Sequence, residues 1–208
     1  MPDELRVARR RRVQVQPVCQ ISDAHCGPAV VEMLLAAQGI SATQQQIAEF
    51  AGVLVTIDEQ GVRPDQLGRA ARRAAPHLRF WYKREATLED LLRIVVDYRC
   101  PAGVEWQGLF EPENDRLGQE DADYGHYSIV SGADRRRRIL RIVDPYRDWY
   151  LQERIFAFAQ FLPRWYDFNE VVDPDTGRAE LVEDYHLLFV IVPQRARFPQ
   201  AAGMAEVV

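Results

Sequence analysis

The 208-residue chain is 47% hydrophobic and 27% charged, with a formal net charge of −5, the composition of a soluble globular protein long enough for a proper core. The acidic balance argues against a general nucleic-acid binder, and the basic run Arg9 to Arg12 has no interleaved aromatics, so it reads as a solvated arm. No apolar run approaches the ~18 residues of a membrane span, and "VQVQPVCQ" is too polar and short for the apolar segment of a signal peptide, so a cytoplasmic protein is expected.

Taken in chain order, Cys19, Cys26 and Cys100 come at irregular spacing. They form neither a disulfide framework nor a zinc pattern, and suit reduced thiols. Residues 26–38 predict a helix, with Val30, Val31, Leu34 and Leu35 on one side, Pro28 in the first turn and Gly39 past the end. A second helix is expected over 41–52, capped by Ser41 or Thr43 and stopped by Gly52, and a third over 63–75. A strand is expected at 78–84 and a helix at 87–98 with Thr87 as its cap. The second half changes character: 101–108, 126–133 and 138–144 are rich in β-branched and aromatic residues bounded by turn signals, and read as strands. Residues 153–168 predict a helix up to Pro163, 173–178 a turn, and 186–193 a buried strand. Helices followed by an antiparallel sheet make an α+β protein. Its expected organisation is an arm (1–15), one domain (16–193) and a loose tail (194–208).

In "SDAHCGPAVV", Cys26 stands where the first helix begins. Unpaired backbone N–H groups and the positive end of the helix dipole favour thiolate there, and the thiolate is the nucleophile. Free cysteines are also among the most buried and inert residues, so partners must decide. His25 adjoins Cys26, but neighbouring helix residues point to different sides. His77 lies in a short connection, and His186 opens the last apolar strand. His126 stands at the mouth of the strand "GHYSIVSGAD", and the chain returns through "RRRR" as "RILRIVDPY". His126 and Asp144 each lie nine positions from Arg135, so a hairpin centred there would set them facing each other on adjacent strands. A carboxylate beside an imidazole fixes its tautomer and supports the imidazolium. Gln20, six residues before Cys26, can turn its amide toward an oxyanion together with the Cys26 N–H.

These residues together resemble the papain-like cysteine peptidases, and most closely the bacteriocin-leader-processing (double-glycine) family as a standalone domain. The resemblance is carried by Gln20, "CGPAVVEMLL" from Cys26, "PAGVEWQG", "GHYSIV" around His126 and "DPY" at Asp144, over about 16–150. It implies a helical left lobe carrying Cys26, an antiparallel right lobe carrying His126 and Asp144, and a site in the cleft between them. It also implies cleavage of peptide bonds by a Cys26–His126–Asp144 triad, with Gln20 and the Cys26 N–H holding the oxyanion and no metal or organic cofactor required. The expected partner is a peptide or protein substrate.

Two alternatives remain open. One is acyl transfer on the same scaffold, with an amine replacing water. The other is a non-catalytic peptide-binding domain, which in relatives typically lacks the cysteine. No transporter segment follows the domain in this sequence, so cleavage during export is not implied. Residues 151–193 read as an elaboration whose Trp165, with nearby Trp149, extends the core or shapes the cleft. The acidic insert 109–125 fits a solvated loop better than a flap or a cation site, because its spacing matches no regular calcium loop.

Overall fold

The computed structural model describes residues 14–114, 125–172 and 178–208. Most of the predicted arm, the centre of the acidic insert and most of the 173–178 turn lie outside the described residues. The helical first half follows the sequence closely. α1 (Cys26–Ala36) is apolar on nearly every side, and its buried residues include Val30, Val31, Met33, Leu34 and Leu35, as expected of a helix at the centre of a domain. α2 (Gln44–Ala51) opens with a capping box, in which the Thr43 side chain accepts from the Gln46 N–H and Gln46 reaches back to the Thr43 N–H. It ends at Gly52, whose φ of 80° is the left-handed conformation that glycine adopts without steric cost. A single turn, α3 (Ile57–Gln60), leads to α4 (Pro64–Ala74), with proline at its first position.

β1 (Leu78–Lys83) follows, then α5 (Leu88–Leu92), capped by Thr87 and continued by a wider turn over Arg93–Asp97. The remaining strands of the main sheet are β2 (Ala102–Gln107), β3 (Gly125–Asp134), β4 (Ile139–Val143), β5 (Glu153–Ala157), and two whose labels follow from a separate hairpin. That hairpin pairs β6 (Phe168–Val172) with β7 (Ala179–Glu183); it follows the single turn α6 (Phe158–Phe161) and precedes β8 (Leu188–Pro193). The chain closes with α7 (Phe198–Ala201) and β9 (Ala205–Glu206). Among the described residues the main sheet has the order β5-β4-β3-β2-β8-β1-β9, and every adjacent pair is antiparallel.

Both faces of the sheet are covered. Phe189 and Ile191 of β8 join Tyr127 and Ile129 of β3 in a core with α1, α2 and α4. Leu188, Val190 and Val192 point the other way, into a second core with Trp106, Phe156, Phe161 and Trp165. A strand buried on both faces reads as an unbroken apolar run, which is why "LLFVIVP" was legible as a strand.

Two expectations are corrected. Residues 153–157 form the edge strand β5 rather than the start of a helix, and the helical part runs from Phe158 through a tighter last turn, Leu162–Arg164, that includes Pro163. In "ERIFA", Arg154 and Phe156 are buried while Glu153 and Ile155 are exposed, a two-residue period that an all-apolar helical reading overlooks. The end of the chain is not a loose tail. β9 pairs with β1, and Ala202 and Met204 are buried in the second core.

Candidate active site

α1 presents its first residue, Cys26, to the start of β3. The approach is close because residue 27 is glycine: a Cβ there would lie 2.6 Å from Val62 Cγ1 and 3.2 Å from both Leu67 Cδ1 and Tyr127 Cδ2. Cys26 is 8% exposed and His126 1%, and the Cys26 side chain lies near enough to the His126 ring to help raise its pKa.

The other side of that ring is fixed by Asp144, whose Oδ1 accepts from His126 Nε2 at 2.8 Å. This leaves Nδ1 for the cysteine. The same Oδ1 accepts the Tyr146 backbone N–H at 2.9 Å, and Oδ2 accepts Arg154 at 2.6 Å. The turn of the hairpin behind this contact is centred between Arg136 and Arg137, later than Arg135, and an irregularity between Val130 and Gly132 then shifts the register by one. Ile129 pairs with Val143, so Asp144, just beyond the end of β4, extends the ladder toward Ser128 rather than His126. The imidazole and carboxylate therefore meet along a diagonal of the sheet, not face to face as predicted.

Electrostatics follow from this geometry. Burial lowers the His126 pKa, but the Asp144 charge and hydrogen bond, with the Cys26 contact added, outweigh it and push the pKa up to about 10. Asp144 is opposed by its own burial, yet His126, Arg154 and the Tyr146 N–H hold it below the ordinary carboxylate range.

Arg154 was not foreseen. Its guanidinium donates to Asp144, to the Gly108 carbonyl at 2.9 Å and to the Phe110 carbonyl, and lies 3.6 Å from the centre of the Trp149 ring. Trp149 in turn donates to Glu111 at 2.9 Å. Arg154 thus ties the carboxylate to the segment that leads into the acidic insert. Its signal in the sequence was an inward-facing arginine in the alternating strand "ERIFA", hidden by the helical reading. Trp165 is fully buried in the core.

Gln20 sits against the same corner, since its backbone N–H donates to the Pro145 carbonyl at 2.8 Å. Its side-chain Nε2 donates to the carbonyls of Ser22 and Asp23 at 2.9 and 3.2 Å, and its Oε1 is buried without a partner. The amide therefore braces the loop that enters α1.

The remaining histidines are occupied elsewhere. His25 Nδ1 donates to Ser22 Oγ at 2.6 Å, and that hydroxyl donates to Asp58. His186 Nδ1 donates to the Ala86 carbonyl, and its ring stacks on Trp165 and Tyr185. His77 is exposed. A cavity of about 390 Å³ lies elsewhere, lined in part by Pro17, Ser131, Tyr150 and Glu153, and none of the four predicted site residues lines it. Among the described residues no group of three or more His, Cys, Asp or Glu side chains could hold a metal, and no helix is long and apolar enough to cross a membrane.

An arrangement of thiol, imidazole and carboxylate in series is the equipment of nucleophilic acyl transfer. The chain is similar in fold to the peptidase domain of Streptococcus ComA, a bi-functional ABC transporter involved in a quorum-sensing pathway, at 18% identity and a TM-score of 0.56, covering 87% of this chain and 100% of that one. It is likewise similar to a double glycine motif protease from an AMS/PCAT transporter, solved with its leader peptide, at 17% identity and a TM-score of 0.55, covering 89% and 96%. A Bacillus anthracis protein assigned as a C39-like peptidase matches at 16% identity and a TM-score of 0.58, covering 89% and 97%. No curated protein matches the chain. The Peptidase_C39 like family matches residues 12–172, well over half of the chain, and the chain belongs to that family.

Proposed function

We propose that this protein is a cysteine peptidase that cleaves peptide bonds with Cys26 as nucleophile, His126 as general base and acid, and Asp144 as the orienting carboxylate. The observation that carries the reading is the buried series Cys26–His126–Asp144, whose last member is anchored by Arg154. Charge on His126 at neutral pH makes the ring a counter-ion for the Cys26 thiolate, which attacks the substrate carbonyl carbon. The oxyanion that forms meets the Cys26 N–H, which as the first of α1 has no acceptor within the helix.

Gln20 supplies the second donor in this reading: one Nε2 proton moves from its longer contact, with Asp23, to the arriving oxygen. His126 then protonates the leaving amine, and water hydrolyses the thioester with the same ring as base. Asp144 stays ionised throughout, supporting the imidazolium and fixing the ring so that Nδ1 faces the sulfur.

The test is cleavage of a diverse peptide library by the wild type and by Cys26→Ala, with products read by mass spectrometry. The reading expects hydrolytic cleavage by the wild type that disappears in Cys26→Ala. Transfer of the acyl group to added amines in preference to water would replace hydrolysis with transfer. Cleavage that survives in Cys26→Ala, or none by the wild type, would contradict the reading.

A further inference from the structure

Beside the Cys26–His126 contact lies a buried carboxyl that the mechanism does not use. Glu105 of β2 stands opposite Tyr127 of β3 in the strand register, one pair along from Trp106 and His126. It is 1% exposed; Oε1 accepts from Asn169 Nδ2 at 3.2 Å, and Oε2 has no hydrogen-bond partner. Tyr127 links the two halves of the site. Its hydroxyl donates to the Val62 carbonyl at 3.1 Å, and its ring lies against Gly27, the residue that follows Cys26.

We propose that Glu105 is a positioning residue: its carboxyl supports Tyr127 against Gly27 and Val62, and so keeps the strand bearing His126 in register with the helix start bearing Cys26. The inference rests on the peptidase reading above.

The groups around Glu105 explain how a carboxyl can do this. From β3 it faces the Tyr127 phenol, and from β6 the Asn169 amide, whose Nδ2 also donates to Asp184 at 2.9 Å. Asp167, before β6, holds Gln107; Asp184, before β8, holds Arg84. Cys26 acts on Tyr127 from the helix side. Burial first, then the Asp167 and Asp184 charges, push the Glu105 pKa well above the ordinary carboxylate value. The protonated form of Glu105 is thereby favoured over the carboxylate, and in that form its free oxygen can carry the proton as a donor to the Tyr127 hydroxyl, which has spare lone pairs. Ionisation would remove that donor and place a third carboxylate in the seam.

The test compares wild type, Glu105→Gln, Glu105→Ala and Tyr127→Phe. It measures kcat and KM on a cleaved peptide and the rate of Cys26 alkylation by iodoacetamide, resolved by peptide mass mapping, across pH. Glu105→Gln mimics the protonated acid and is expected to stay within about threefold of wild type at neutral pH. It should also keep its activity to higher pH, where wild type falls off. Glu105→Ala is expected to lower kcat by roughly tenfold or more with little change in KM, and to slow Cys26 alkylation in parallel. Tyr127→Phe should lower both rates by a smaller factor.

Melting curves separate folding from positioning. Because the folded state holds a proton that the unfolded chain releases, wild-type stability falls as pH rises above the ordinary carboxylate range, and Glu105→Gln should lose that slope. A folded Glu105→Ala with unaltered kcat and alkylation would overturn the proposal. A Glu105→Gln as defective as Glu105→Ala would do the same, and that comparison decides the matter if Glu105→Ala does not fold. A wild-type Cys26 no more reactive than a free thiol would instead sink the peptidase reading itself.

Discussion

Two side chains at the site make the sharpest residue-scale predictions. Asp144 is fully buried, and its charge is balanced by His126 on one oxygen and Arg154 on the other. Removing one partner of a buried ion pair costs about 3–5 kcal/mol where it leaves the other uncompensated, and the His126 contact that remains on Asp144 holds the cost toward the lower end. Arg154→Ala is therefore expected to lower the denaturant midpoint by a corresponding amount and to loosen the Gly108–Phe110 segment, checked by equilibrium unfolding. Gln20→Ala is expected to lower kcat by about tenfold to a hundredfold with KM nearly unchanged if the amide serves only the transition state, read from steady-state kinetics. Of the four candidate residues, His126 and Asp144 were legible because a hairpin places its arms by counting. The count set the turn at Arg135, whereas Asp134 pairs with Ile139 and so centres it between Arg136 and Arg137; the irregularity near Ser131 steps the register back by one, which leaves Asp144 diagonal to His126. Gln20 could be located from sequence, but the bonds of its amide to Ser22 and Asp23 depend on loop geometry that no spacing encodes.

At the scale of elements, the helical half was read nearly residue for residue because its signals are local: Thr43 with Gln46, Gly52, Pro64, and Thr87 with Asp90. The half built from long-range pairing was read less well. β5 owes its form to its pairing with β4 and to the burial of Phe156 against Trp106, at a ring separation of 5.2 Å, and neither is visible in a short window. β9 is two residues long and exists by pairing with β1, so "loose tail" was the natural local reading. The contact between α1 and β3 yields an element-scale prediction. Gly27→Ala places a methyl against Val62, Leu67 and Tyr127, and overpacking of this kind costs about 1–3 kcal/mol. Thermal melts should show the loss, and kcat should fall with it because the displaced residue adjoins Cys26.

Across the whole molecule, the charges at the site set a pH window. The folded-state pKa of His126, about 10, lies above its ordinary value of 6.5. The stability it contributes is therefore fully present below 6.5 and is lost as pH rises toward 10. The Asp144 pKa is depressed, so its contribution is present above the ordinary carboxylate value of 3.8 and is lost on further acidification. The melting temperature of wild type relative to His126→Gln should be highest in the mildly acidic range and should shrink steadily toward pH 10, as differential scanning calorimetry over a pH series would show. The architecture supports this by burying the series between two cores, one on each face of the sheet, with the nucleophile delivered by a helix and its base by a strand. The central claim is that this burial makes Cys26 a nucleophile through His126. Iodoacetamide labelling at about pH 6, resolved by mass mapping among Cys19, Cys26 and Cys100, tests it most directly. The account predicts that Cys26 reacts at least about tenfold faster than a free thiol such as N-acetylcysteine, and that His126→Ala abolishes the advantage. A Cys26 that reacts no faster than the free thiol, or as fast without His126 as with it, would contradict the account.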